Sequence, residues 1–203
     1  MNNRHTLIFA IIAIAYTIST LYFPYSYSWA IKLIPMCLLI FVTFQQVNTF
    51  SDKLFLTGLL FSTAGDFFLG YDSLNFFIYG LASFLIAHLF YLSCFWPIEK
   101  KNVIFALIYI GFGLGMFSVI APGLGKLFIP VLMYMSVLLV MGIFTLVSMK
   151  SNRWLILGGI AFIVSDSLLG VNKFFQPIPY ANILIISTYY LAQFSLVKGI
   201  FSR

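Results

Sequence analysis

Unbroken apolar runs close to twenty residues long recur along this chain, and they limit its fold more than any motif does. Eight can be placed: Thr6–Phe23, Trp29–Val47, Leu54–Leu69, Leu74–Phe95, Asn102–Ile120, Leu127–Ser148, Trp154–Val171 and Tyr180–Phe201. A helix of about 20 apolar residues crosses the ~30 Å of bilayer hydrocarbon. Inside hydrocarbon every backbone amide needs an internal partner, which leaves helices or a closed barrel. Barrel strands alternate polar and apolar residues, and these runs do not. The sequence therefore predicts an all-α, polytopic membrane bundle of about eight transmembrane helices, built as a single transmembrane domain over residues 1–203. With 62% hydrophobic and 8% charged residues, a water-soluble fold would have to expose far more apolar surface than such folds do. The connections are short, so neighbouring helices are expected to be antiparallel. Pro24, Pro97, Pro122, Pro177 and Pro179 punctuate them, and Pro35 and Pro130 fall within runs, near their starts.

Charge sets the direction. Arg4, Lys53, Lys100, Lys101, Lys150, Arg153, Lys198 and Arg203 fall on one side of the predicted membrane, and Lys32, Lys126 and Lys173 on the other. The positive-inside rule then puts both termini in the cytoplasm, as an even number of spans requires. The expected location is a bacterial inner membrane, with the first run retained and not cleaved as a signal peptide. The net charge of +6 is spread along membrane flanks without a basic cluster larger than Lys100-Lys101, so no nucleic-acid partner is expected. Cys37 and Cys94 sit in apolar runs and read as small core hydrophobes. His5 and His88 are too few for a three-histidine zinc site, and no Gly-x-Ser-x-Gly elbow is present. No metal is expected.

The third and seventh runs resemble each other. Gly58, Asp66, Leu69 and Gly70 recur as Gly158, Asp166, Leu169 and Gly170, one hundred residues on. The seventh run is four spans on from the third, which suggests a parallel 4+4 internal repeat. Asp66 and Asp166 each lie thirteen residues past a basic flank, Lys53 or Arg153. At 1.5 Å per residue that is roughly 20 Å in, nearer the non-cytoplasmic face. An ionisable group at such depth costs a few kcal/mol and is a functional candidate by default. Ion pairing with Lys32 or Lys173, capping or helix-to-helix bonding would be the structural alternative. Lys32 enters from the same face. His88 falls near mid-depth with Tyr91 on its helix face, and Gln193, Tyr189 and Tyr190 are placed to look toward the same cavity. Gly58, Gly65, Gly158 and Gly159 should let helices approach closely. Ser62, Ser165 and Ser167 are expected to bond within their own helices.

These residues also carry a resemblance. Lys32 with Pro35, Phe61-Ser62, Gly65-Asp66, His88 with Tyr91, Ser165-Asp166, Lys173-Phe174, and Tyr190 with Gln193 are similar, in order and spacing, to the YhhN-type lysoplasmalogenase family. The resemblance covers nearly the whole chain. It implies an integral membrane hydrolase without a cofactor that cleaves the vinyl ether bond of lysoplasmalogens. The products would be a fatty aldehyde and glycerophosphoethanolamine or glycerophosphocholine. The partners it implies are a lysophospholipid substrate and membrane lipid.

Vinyl ethers hydrolyse by protonation at carbon, so such a site needs a protonated acid, a base for water and negative charge beside an oxocarbenium ion. Two carboxylates meet the similar demand in glycosidases. Asp66 as acid and Asp166 as base are the expected catalytic pair, with His88 relaying a proton or orienting water. Lys32 and Lys173 are expected to hold the lipid phosphate, and Tyr91, Tyr190 and Gln193 to complete the substrate site. The competing reading is a small proton-coupled transporter that uses the same aspartates.

Overall fold

The computed structural model of the protein describes residues 3–99 and 103–202. Lys100, Lys101, Asn102 and Arg203, used above to place spans and charges, lie outside them, as do Met1 and Asn2. Eight α-helices run through the described residues: α1 Asn3–Ser19, α2 Ser28–Phe44, α3 Phe50–Tyr71, α4 Phe77–Phe95, α5 Val103–Ile120, α6 Phe128–Val147, α7 Arg153–Phe174 and α8 Ala181–Ile200. There is no strand among those residues, apart from a lone bridge between Ile98 and Ser148. Seven helical segments are long and apolar enough to cross a bilayer. Their outward side chains, such as Leu7, Ile11, Ile14 and Ile18 on α1, are exposed and apolar. This is an integral, multi-pass membrane protein.

The eighth helix departs from the expectation of equal spans. α2 has 17 residues, about 25 Å at 1.5 Å per residue. The chain leaves α1 through a 3₁₀ turn at Thr20–Tyr22 and reaches α2 only after Tyr27, whose φ of 61° is left-handed. Pro35 lies well inside α2, not at its start. Pro130 is the third residue of α6, where its missing N–H costs nothing.

Polar caps stop and start the other elements. Thr49 and Asp52 form a capping box at the start of α3. The Asn152 carboxamide accepts the amides of Trp154 and Leu155 at the start of α7. Between α3 and α4, Asp72 accepts the amides of Leu74 and Asn75 and the Asn75 side chain.

Contacts between loops sort the helix ends into two groups. At one end, the Lys150 ammonium donates to Ser51 Oγ and to the Cys94 carbonyl, and Asn152 donates to the Gly199 carbonyl. At the other end, Gly70 packs on Trp29 and Lys32, and Phe77 meets Phe174 edge-on. Neighbours are therefore antiparallel. Arg4, Lys53, Lys150, Arg153 and Lys198 lie at the first end, and Lys32, Lys126 and Lys173 at the second.

α3 packs closely on α4, and α7 on α8, because glycine removes the side chain between them. A Cβ at Gly58 would lie 2.5 Å from the Tyr91 ring, and one at Gly158 would lie 2.8 Å from the Leu196 side chain. The core runs from Phe9 and Tyr16 on α1 through Met36, Leu59, Tyr91 and Phe162 to Leu196 on α8. α5 lies at the edge, and most of its side chains are exposed. The two cysteines separate: Cys94 is buried and Cys37, expected in the core, is exposed.

Candidate active site

Asp66 is carried late on α3 and is buried to 1% exposure. A carboxylate in such a place needs charge and hydrogen-bond partners. Three elements supply them. Lys32 on α2 brings its ammonium 2.9 Å from Asp66 Oδ1, with 12% of the lysine side chain exposed. Tyr189 on α8 donates its hydroxyl to Asp66 Oδ2 at 2.5 Å. Behind Tyr189, Gln193 Nε2 donates to the Tyr189 oxygen at 3.2 Å, Tyr91 donates to Gln193 Oε1 at 3.1 Å, and Ser62 Oγ lies 3.1 Å from the Tyr91 hydroxyl. With Tyr91 committed as donor to Gln193, Ser62 is the donor to Tyr91. Every donor in this buried file, from Ser62 through Tyr91, Gln193 and Tyr189, points toward Asp66.

Asp166, late on α7, has different company. Tyr134 on α6 donates to Asp166 Oδ2, and no ion pair to Asp166 exists among the described residues. Asp166 is half-buried, where Asp66 is fully so. Beside it, Ser165 Oγ donates to the Ile185 carbonyl of α8 at 3.0 Å and ties α7 to α8 at the level of the acid.

Both carboxylates line one cavity of about 400 Å³. Lys32, Lys173, Asn172, Asn182, Ser28 and Ser165 also line it, together with Tyr189, Phe77, Phe84 and Leu169. Its polar rim lies at the end of the bundle that carries Lys32 and Lys173. Lys173 is exposed, and its ammonium rests 4.4 Å from the centroid of the Phe77 ring, an attractive placement for a cation.

The predicted residues divide accordingly. The structure brings Asp66, Asp166, Lys32 and Lys173 to one hollow. Tyr91 and Gln193 stand behind its wall, in the file of donors that ends at Asp66. Tyr190 also faces away, donating to the backbone carbonyl of Lys32 at 2.8 Å and so fixing α2 where the lysine projects. His88 is fully buried and does not line the cavity. Its ring is caged by Phe162, Tyr134 and Tyr91 at centroid distances of 4.6, 5.6 and 6.2 Å. Neither ring nitrogen finds a well-aligned partner, the Phe84 carbonyl one turn back offering a weak contact. Ser62 and Ser165, expected to bond within their own helices, reach across to α4 and α8 instead. Tyr134, Asn172 and Asn182 are the additions. Tyr134 carried a faint signal: it interrupts an apolar run on α6, the helix that stands in the second half where α2 stands in the first. No group of three or more His, Cys, Asp or Glu side chains among the described residues is placed to hold a metal ion.

Helices with apolar outer faces around a hollow lined by two acids define an integral, multi-pass membrane protein with a candidate site in its helical bundle. Comparison with known proteins makes the class specific. The model of the YhhN family matches residues 27–200, and the chain belongs to that family. It is 31% identical over 186 residues to "Lysoplasmalogenase TMEM86A" of Homo sapiens, covering 82% of this chain and 76% of that protein. It is 30% identical over 177 residues to "Lysoplasmalogenase TMEM86B" of Mus musculus, with 84% and 75% covered. With the "Lysoplasmalogenase" of Mycobacterium bovis it shares 28% identity over 152 residues, 70% of this chain and 58% of that one. No solved structure gives a significant match.

Proposed function

We propose that the protein is a lysoplasmalogenase, which hydrolyses the vinyl ether bond of a single-chain ether phospholipid to a fatty aldehyde and the glycerophospho-alcohol. Membership of the YhhN family and the names of its relatives support this reading. The observation that carries it is the pairing of two unlike aspartates, Asp66 and Asp166, on one interfacial cavity.

Their surroundings separate their roles. Asp66 is matched to the Lys32 ammonium and receives the Tyr189 hydroxyl, so it serves as the ionised member. Asp166 has a phenol for company and no cation, and it is the more accessible of the two, so it carries the proton. Two acids in one low-dielectric hollow do not readily both ionise, which favours a single shared proton. This reverses the order expected from the sequence, where Lys32 was a candidate partner for either acid and Tyr134 was not foreseen.

In the first step the Asp166 carboxyl gives its proton to the outer vinyl carbon, and the carbon beside oxygen becomes an oxocarbenium ion. The Asp166 and Asp66 carboxylates stabilise that cation. Water adds to the cationic carbon and returns a proton to Asp166, leaving a hemiacetal. Its hydroxyl loses a proton as the carbon–oxygen bond to glycerol breaks, and the glycerol oxygen takes a proton. One water is consumed, aldehyde and alcohol are released, and Asp166 ends as it began. Lys173, with the carboxamides of Asn172 and Asn182, holds the phosphate at the rim, while Lys32 keeps Asp66 charged. The charge distribution favours both termini in the cytoplasm, with the cavity opening on the opposite face of a bacterial inner membrane.

The test is aldehyde release from a lysoplasmalogen by purified protein in detergent. Wild type is expected to release aldehyde. Asp166→Asn and Asp66→Asn should each reduce turnover at least about a hundredfold while the protein stays monodisperse. Normal turnover by Asp166→Asn would remove the assigned acid. A transporter would release no aldehyde without a vesicle or within one.

A further inference from the structure

A second cavity lies on the other side of Asp166. It is a narrow crevice of about 50 Å³ between α4, α5, α6 and α7. Its walls are almost wholly apolar and include Gly113 and Met116 of α5 and Leu138 and Leu139 of α6. Phe77, Leu169 and Asp166 line both the crevice and the polar hollow, so the two spaces meet at the acid. The crevice has the same depth as the hollow: it is built from the start of α4 and α6 and the ends of α5 and α7. Gly113 lets Leu139 pack directly against α5 and so sets the width of the crevice, because a Cβ there would collide with the Leu139 side chain.

A single-chain ether lipid has this same division. Its charged head and its apolar chain are joined at the bond to be broken, so a proton donor at that bond must stand between a polar and an apolar space. Resting on the reading of the protein as a lysoplasmalogenase, we infer that the crevice receives the first methylenes of the ether-linked chain and sets chain selectivity. Gly113 and Leu139 are then specificity-determining residues. The occupant is the substrate chain and not a bulk lipid, because the crevice is continuous with the acid that must reach the vinyl carbon. The rest of the chain continues along α5, whose outer side chains Ile110 and Leu114 are exposed.

Two measurements test this. The first is photolabelling of the protein in detergent with a non-hydrolysable 1-alkyl-glycerophosphocholine that carries a diazirine near the ether end of its chain. Labels on α5 and α6 beside Gly113, Met116 or Leu139 are expected. Labels confined elsewhere, such as the groove between α1 and α8 at Phe9 and Phe194, would overturn the assignment. The second is the ratio of kcat/KM for a straight-chain lysoplasmalogen over one methyl-branched on its first methylenes. Leu139→Ala, which enlarges the crevice, should lower that ratio by about tenfold, since a methylene or two in an apolar pocket is worth that much. Gly113→Leu, which crowds the crevice, should raise it. Unchanged ratios in both variants, with wild-type turnover intact, overturn the inference. Labelling of α5 and α6 without aldehyde release would leave the chain site standing and remove the enzymatic reading.

Discussion

Lys32 and Asp66 face each other at 2.9 Å in a place that almost no solvent reaches. Removing one member of such a pair costs about 3–5 kcal/mol, because the other is stranded in low dielectric, whereas removing both costs far less. Lys32→Met should therefore lower thermal stability in detergent markedly, and adding Asp66→Asn should recover most of the loss. Additive losses in this double-mutant cycle would show that the two side chains are not coupled. Tyr134 makes a different claim. Its hydroxyl bonds Asp166, so Tyr134→Phe removes one hydrogen bond to a neutral carboxyl, about 0.5–1.5 kcal/mol. If the bond aims the acid, kcat falls roughly twofold to tenfold while KM holds, and a change in KM alone would contradict that. The sequence made the acids and Lys32 legible because a charge in an apolar run has no other excuse. It left Tyr134 nearly invisible, since a tyrosine in a membrane helix is ordinary until its partner is known. His88, Tyr91, Tyr190 and Gln193 stood out as polar, but the direction of a side chain depends on helix rotation. In the fold all four turn behind the cavity wall.

Helix existence was legible in the apolar runs, and helix ends followed local chemistry that the runs do not carry. The α3–α4 connection shows why. The sequence starts the fourth span at Leu74, but Asp72 accepts the amides of Leu74 and Asn75, and α4 begins at Phe77. The Asn75 side chain, followed by the backbone amides, holds the Asp72 carboxyl below the usual carboxylate range. A folded value below the unfolded one means that the carboxylate supports the turn above the ordinary pKa of about 3.9 and loses that role as pH falls through the lowered value. Hydrogen exchange at Leu74 and Asn75 should therefore lose protection in the wild type as the pH falls through that lowered value. Asp72→Ala should show little protection at any pH. Protection in wild type that ignores acidification would rule out the carboxylate as the stop signal. The start of α2 was foreseen to within one residue, Trp29 against Ser28, but the left-handed Tyr27 that precedes it is something no hydropathy pattern reveals.

Across the whole molecule the candidate site belongs to neither half alone. α2 gives Lys32 to Asp66 on α3, and α6 gives Tyr134 to Asp166 on α7, the relation that a 4+4 duplication would leave. Tyr189 and Gln193 of the second half then cross to Asp66 and Tyr91 of the first. At the opposite end, Lys150 caps the last carbonyls of α4 and reaches Ser51, joining the halves again with a cation placed well for a helix C-terminus. The molecule is therefore fastened at one end and hollow at the end that holds Lys32 and Lys173. On the orientation proposed above, in which the end with Arg4, Lys53, Lys150, Arg153 and Lys198 faces the cytoplasm, that hollow opens on the non-cytoplasmic face. In a background with Cys37 and Cys94 replaced by alanine, a cysteine at Lys173 or Tyr27 should react with an impermeant maleimide added outside intact cells. A cysteine at Lys150 or Ser202 should react only after the membrane is opened. The reverse pattern would turn the protein over in the bilayer and require its lipid to be drawn from the cytoplasmic leaflet. It would leave the pairing of the two acids untouched, since that depends on how the helices pack and not on which way they point.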